Sequence, residues 1–377
     1  MMIYFDTKTC MYPNCFEENV KSHAISRNIS LESIAENYHL YSFIPKQNSR
    51  DTKKPSIELI STNKATRHHC FCDEHEEKFK RLDDHEISKT RDVLWQLYRT
   101  LCVAHNQEKT ALVNLYKLND PDSHKLISRG DVELFLTSSK FEKIIPMLDE
   151  ASVLEAAQRK VKFQLSEFFD DELLKDEKLI EKIKYIADTI DDKPIARNTL
   201  EVITNELLDH TIFYYKLDFQ IPVALSAIQH GDFDGTRVKL HSTVVPYENS
   251  TVIIGLIPNL LLEDSKRTEK INNYFSSEYN IVKYVESLMS VSDGWFLKPS
   301  VIKNMSEEKI STFETDCMFL NERSFFEDYD LSIFDDLKMN RLGLSDEDKE
   351  ITFIPERADY SSRYEKMLEA MQIKVPQ

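Results

Sequence analysis

Cysteine and histidine crowd one end of this chain. Five of the six cysteines (Cys10, Cys15, Cys70, Cys72, Cys102) and seven of the eleven histidines lie in the first 110 of 377 residues. The N-terminus, MMIYFDTKTC, lacks a basic start and carries Asp6, so it does not read as a secretion signal. A reducing, cytoplasmic setting is expected, and there clustered Cys and His point to metal rather than disulfides. Two short pairs have chelating spacing, Cys10-x4-Cys15 and Cys72-x2-His75. Joined across a long insert, they can close a tetrahedral Zn2+ site. Cys70 could stand in for Cys72. Cys72 is preferred because it and His75 are three apart as the chain enters the charged helix DEHEEKFKRLDD, which brings i and i+3 to one face. Cys102 and Cys317 read as buried apolar residues.

Glycine narrows the choice further. There are six, the first at Gly130. A Walker loop and a G-x-G-x-x-G turn both need clustered glycines for close backbone approach to phosphate, so both are excluded. The longest apolar stretch, Val252 to Leu262, is short and contains Pro258 and Asn259, so no segment spans a bilayer. Net charge is -17. Residues 1–110 hold 16 basic and 16 acidic side chains and are neutral, which puts the whole excess in 111–377. If any part meets nucleic acid, it is the neutral N-terminal part.

The expected class is α+β. Residues 1–86 form the Cys/His module, with Ser30 capping a short helix LESIAENY and a polar loop at 45–57. Residues 87–210 are read as helical. Ile87, Val93, Leu94, Leu97, Tyr98 and Leu101 share one helical face, the 131–190 stretch has helical periodicity, and 197–209 is expected to be a further helix. From 211 to 320 the pattern turns β-rich. Val223–Gln229, Arg237–Pro246 and Thr251–Pro258 are expected to form an antiparallel meander, with helix again at 266–290. His230, Asp232 and Asp234 are read as part of a hairpin turn rather than a metal loop. His241 is read as a packing or surface residue. Residues 321–377 form an acidic C-terminal segment.

The order Cys-x4-Cys, Ser22-His23-Ala24-Ile25-Ser26, Asn63-Lys64-Ala65-Thr66 and Phe71-Cys72-Asp73-Glu74-His75-Glu76 resembles the zinc-stabilised HNH (His-Me finger) nucleases and a group of uncharacterised bacterial proteins. The likeness covers residues 10–86. It implies a zinc-stapled, treble-clef-like ββα module in which Cys10, Cys15, Cys72 and His75 hold the zinc. It further implies His23 as general base, Asn63 as the residue orienting the hairpin or His23, and Glu76 as holder of a catalytic Mg2+ or Mn2+ beside the scissile phosphate. Lys21, Arg27, Lys53, Lys54, Lys64, Arg67, His68 and His69 would then contact phosphates. Such a nuclease would fit a restriction or anti-phage role in a bacterium. Two positions depart from the family pattern. Ser22 stands where an acid commonly precedes the base, and Glu76 stands where His, Asn or Asp is usual. The alternative is a non-catalytic zinc-stabilised interaction protein that binds a protein partner through its acidic C-terminal part.

Overall fold

The computed structural model describes residues 8–44, 56–118, 151–233, 236–292, 294–318 and 328–356. It divides into two compact units. The larger comprises residues 9–103 and 180–357, and the smaller is built mainly on 104–179.

The larger unit opens with the module. Strands β1 (Lys21–His23) and β4 (Arg67–His69) pair antiparallel, with Lys21 opposite His69 and His23 opposite Arg67. Between them lie α1 (Glu32–Ile34), β2 (His39–Ile44) and β3 (Ser56–Ser61). After β4 come α2 (Asp73–Glu76) and α3 (Lys80–Asp84), giving a ββα-like region. Ser30 does not cap a helix. It is buried within a π-helical turn, Arg27–Leu31, that leads straight into α1, and the helical stretch has ended by Ala35, so LESIAENY is only half helical.

The two helices of the helical middle, α4 (Thr90–Leu118) and α5 (Ala151–Thr189), match the expected periodicity. Ile87, Val93, Leu94, Leu97, Tyr98 and Leu101 are all buried, as are Leu179, Ile180, Ile183 and Ile186. Residues 119–150 lie outside the described residues. Within the smaller unit, His105 of α4 lies 3.5 Å from the Glu177 carboxylate of α5, and this contact holds the Glu177 pKa below the usual range.

The expected helix at 197–209 is instead strand β5 (Leu200–Ile203) followed by a turn. The reason is tertiary. β5 pairs along the edge of β6 (His210–Leu217), and a ladder of backbone hydrogen bonds outweighs the weak helical preference of a short polar segment. The meander then runs through β7 (Val223–Phe233), β8 (Thr236–Tyr247) and β9 (Ser250–Pro258). Phe233 pairs with Thr236, and Asp234 and Gly235, within the stretch expected to be a hairpin turn, lie outside the described residues.

All these strands belong to one antiparallel eight-stranded sheet of order β3-β2-β10-β7-β8-β9-β6-β5, where β10 is Trp295–Leu297. The sheet thus takes two strands from the module and six from beyond residue 199, and the expected boundary at residue 86 does not separate two sheets. Every residue of β9 is buried. A strand with both faces covered loses the apolar–polar alternation of a half-exposed one, which explains the continuous run VIIGLI. After the short helix α6 (Asn259–Leu262), helices α7 (Ser265–Tyr274) and α8 (Glu278–Met289) cover one face, where Phe275 packs on Phe213 and Tyr215. The Tyr247 hydroxyl of β8 accepts the Ile87 N–H, while Lys216 of β6 donates to the Glu86 carboxylate and the Ile87 carbonyl. Thr243 meets Thr100 of α4. In the described part of the acidic C-terminal segment, residues 328–356, Tyr329, Leu331, Ile333, Phe334 and Ile351 are buried.

Candidate metal centre and the histidine beside it

The first ligand pair is shaped by a tight knuckle. Cys10 N–H donates to the Glu17 carbonyl, Cys15 N–H to Tyr12, and Asn14 takes the left-handed conformation (φ 60) that Asn tolerates. Met11 N–H donates to the Cys70 carbonyl, so the knuckle hangs on the segment after β4. The second pair is set by a helix start. Cys72 is the extended N-cap of α2, and the His75 and Glu76 N–H groups both donate to its carbonyl. That geometry puts the thiol and the imidazole on one side.

The ligand atoms of Cys10, Cys15, Cys72 and His75 all lie within 4.8 Å of one another. Cys15 Sγ is 3.8 Å from Cys72 Sγ, and His75 Nδ1 is 3.2 Å from Cys72 Sγ and 3.6 Å from Cys10 Sγ. With Zn–S near 2.3 Å and Zn–N near 2.0 Å, a regular tetrahedron has edges of about 3.5–3.8 Å. The three-thiol, one-imidazole set therefore fits a structural zinc. Burial pushes the Cys10 thiol up to about 12, so this side chain stays protonated unless a cation compensates its charge. The Tyr12 ring stacks on His75 at 3.9 Å and fixes the imidazole plane. The ammonium groups of Lys78 and Lys184 lie over the Tyr12 ring, 5.1 and 4.7 Å from its centre.

Cys70 takes no part. Its Sγ lies against the Cys102 carbonyl at 3.7 Å, fully buried, and burial raises its thiol well above the ordinary range. Cys72 rather than Cys70 joins the cluster because it caps α2 beside His75, whereas Cys70, just past β4, turns into the core against Cys102 of α4. Cys102 and Cys317 are buried too.

His23 ends β1, and its Nδ1 is 2.8 Å from the Ala65 carbonyl. A carbonyl only accepts, so the proton is on Nδ1 and the Nε2 lone pair is left available. Burial lowers the His23 pKa, and the charges of Arg99, Arg27 and Arg67 add to that, against the Ala65 bond. The turn that holds His23 is strained. Thr66 has φ 51, a conformation costly for a β-branched residue. Its carbonyl takes Ala24 N–H and His68 Nδ1–H, and its hydroxyl donates to the Ile25 carbonyl. Asn63 is exposed in the same turn. The contacts to His23 come from Ala65 and Thr66.

Strand pairing sorts the remaining side chains. Lys21, His23, Arg67 and His69 share the more exposed face of the β1–β4 pair, while Ser22 and His68 share the buried one. The Ser22 hydroxyl is 3.3 Å from His68 Nε2 and also faces the Glu76 carboxylate. Burial drives the His68 pKa down to about 3, so the ring is neutral. Glu76 Oε2 accepts from Arg99 Nη2 at 3.1 Å, and its buried Oε1 has no hydrogen-bond partner among the described residues. Burial raises the Glu76 pKa, and Arg99 works against that rise. Arg99, only 2% exposed, also forks onto Asp83 at 2.8 and 3.4 Å and lies over the Phe79 ring. The sequence pattern marks His68 only as a phosphate contact and does not single out Arg99 or Asp83; the one signal for Arg99 is an arginine embedded in the buried stripe of α4.

Among the described residues, no helix is long and apolar enough to cross a membrane. Comparison with protein-family models, curated proteins and solved structures found no match to this chain.

Proposed function

We propose that the zinc-stapled module hydrolyses phosphodiester bonds of nucleic acid in the manner of an HNH-like nuclease, with His23 as the general base. The observation that carries this reading is the His23 Nδ1–Ala65 bond. It fixes the tautomer with Nε2 free, on a strand face otherwise lined by Lys21, Arg67 and His69. A neutral imidazole with a lowered pKa is ready to take a proton from water at neutral pH. Hydroxide then adds to phosphorus, the P–O bond to the leaving sugar oxygen breaks, and that oxygen is protonated from solvent. The basic side chains on the same face bind flanking phosphates, and such contacts weaken steeply with salt. The reaction needs a cation beside the scissile phosphate. By the resemblance Glu76 would hold Mg2+ or Mn2+ there, a role that its ion pair with Arg99 opposes, and Asn63 would act only by shaping the turn under His23. In a bacterial host, such an activity would serve anti-phage defence.

The test is cleavage of DNA and of RNA by the purified, zinc-loaded chain, with Mg2+, with Mn2+ and with neither added. His23→Ala is expected to abolish cleavage while zinc content stays unchanged. Equal rates in wild type and variant would exclude His23 as the base.

A second reading is favoured by Arg99, which already neutralises Glu76, and by Ser22 in place of an acid. On that reading the module is non-catalytic and the acidic C-terminal part binds a protein partner. It predicts no hydrolysis under any metal and a stable complex in pull-downs.

A further inference from the structure

Three carboxylate oxygens near β1 are already taken by one side chain. Arg99 of α4 binds Glu76 of α2 through Nη2, and Asp83 of α3 through both terminal nitrogens. Its guanidinium is 2% exposed, and it lies 4.9 Å from the centre of the Phe79 ring. The carboxylates are 17% and 32% exposed. Only Glu76 Oε1 remains free, buried without a hydrogen-bond partner among the described residues, and Arg99 Nε is buried in the same condition. Mg2+ and Mn2+ need several oxygen ligands in a regular octahedron. One lone oxygen beside a buried positive charge does not supply them. The fork of an arginine, by contrast, matches two carboxylates by geometry as well as charge.

We propose that the Arg99 guanidinium is the resident cation of the Glu76–Asp83 pair, so that it keeps divalent ions off these two carboxylates and leaves the cysteine–histidine cluster as the one metal site among the module's described residues. This rests on the hydrolytic reading only for its consequence. If the site cuts phosphodiesters, any Mg2+ or Mn2+ it uses is held by groups other than Glu76 and Asp83. The exclusion itself needs no turnover. The imidazoles of His23 and His68 both feel the Arg99 charge, which places it within electrostatic reach of the β1–β4 pair.

The experiment is a Mn2+ titration of the full, zinc-loaded chain, following free Mn2+ by electron paramagnetic resonance. Wild type and Glu76→Gln are expected to give the same weak, unsaturated binding from the acidic surface. Arg99→Met frees both carboxylates and is expected to bind one Mn2+ about tenfold or more tighter, a gain lost in Arg99→Met/Glu76→Gln. A tight Mn2+ in wild type that Glu76→Gln removes would overturn the proposal, and so would a folded Arg99→Met chain with no gain. If Arg99→Met does not fold, the wild-type and Glu76→Gln pair still decides it. Absence of cleavage in every condition would count against the nuclease reading and leave this result standing.

Discussion

Ligand choice is decided by single side chains. Cys72→Ser is expected to lower zinc per chain well below one and to destabilise the module, because a structural zinc contributes folding free energy directly. Cys70→Ser removes a thiol that faces the Cys102 carbonyl, so zinc content is expected to stay unchanged. Metal analysis of both variants separates the two cysteines. His68 makes a second residue-level prediction. Its pKa is about 3 in the folded chain and near 6.5 when unfolded. Between those values the unfolded chain binds a proton that the folded chain does not, so stability is lost as pH falls through that window. The slope is at most about 1.4 kcal/mol per pH unit from this one group. Denaturant unfolding of wild type against His68→Gln should show a shallower acid loss in the variant, and zinc release common to both cancels in the difference. Equal slopes would mean that His68 is not held neutral by the fold.

At the scale of elements, the sheet depends on one close approach. Gly255 of β9 faces Phe213 of β6 across the ladder, and a Cβ at position 255 would collide with the Phe213 ring. The ring is buried and packed on Phe275, so it has little room to yield. Gly255→Ala is expected to cost about 1–3 kcal/mol by overpacking, measurable as a shift in denaturant midpoint. Glycine scarcity in the sequence had been informative for what it excluded, while the need for this glycine is set by its cross-strand partner. Likewise, the strand pattern of β7 to β9 was legible because β-branched runs are bounded by turn residues. β5 was not legible, since its partner β6 supplies the reason for it to be a strand.

At the scale of the larger unit, the C-terminal segment is tied in by a buried ion pair. Glu286 of α8 and Lys338 are each 1% exposed and 2.8 Å apart. Glu286 Oε1 also accepts the Ile333 and Phe334 N–H groups, and Lys338 donates to Ser332. Removing one partner leaves a buried charge and two unmet N–H donors. Glu286→Ala is expected to cost about 3–5 kcal/mol and to release the 328–342 segment to proteolysis. Limited proteolysis and thermal unfolding would check both, and a variant as resistant as wild type would contradict the clamp.

The sequence by itself determined the two Cys/His pairs that cluster as a candidate metal site, apart from the choice between Cys70 and Cys72, together with the order of the ββα-like region, the helical middle and the β-meander. Each of these is encoded locally, in a chelating spacing, a helical period or a strand bounded by turn residues, and local patterns survive without knowledge of the fold. The tertiary structure decided the rest. It set one sheet across residue 86, made β5 a strand, buried side chains of the 328–356 stretch in the core and placed Arg99 between Glu76 and Asp83. Those outcomes depend on which distant segments meet, and the energy of a backbone ladder or a buried ion pair exists only once both partners are in place.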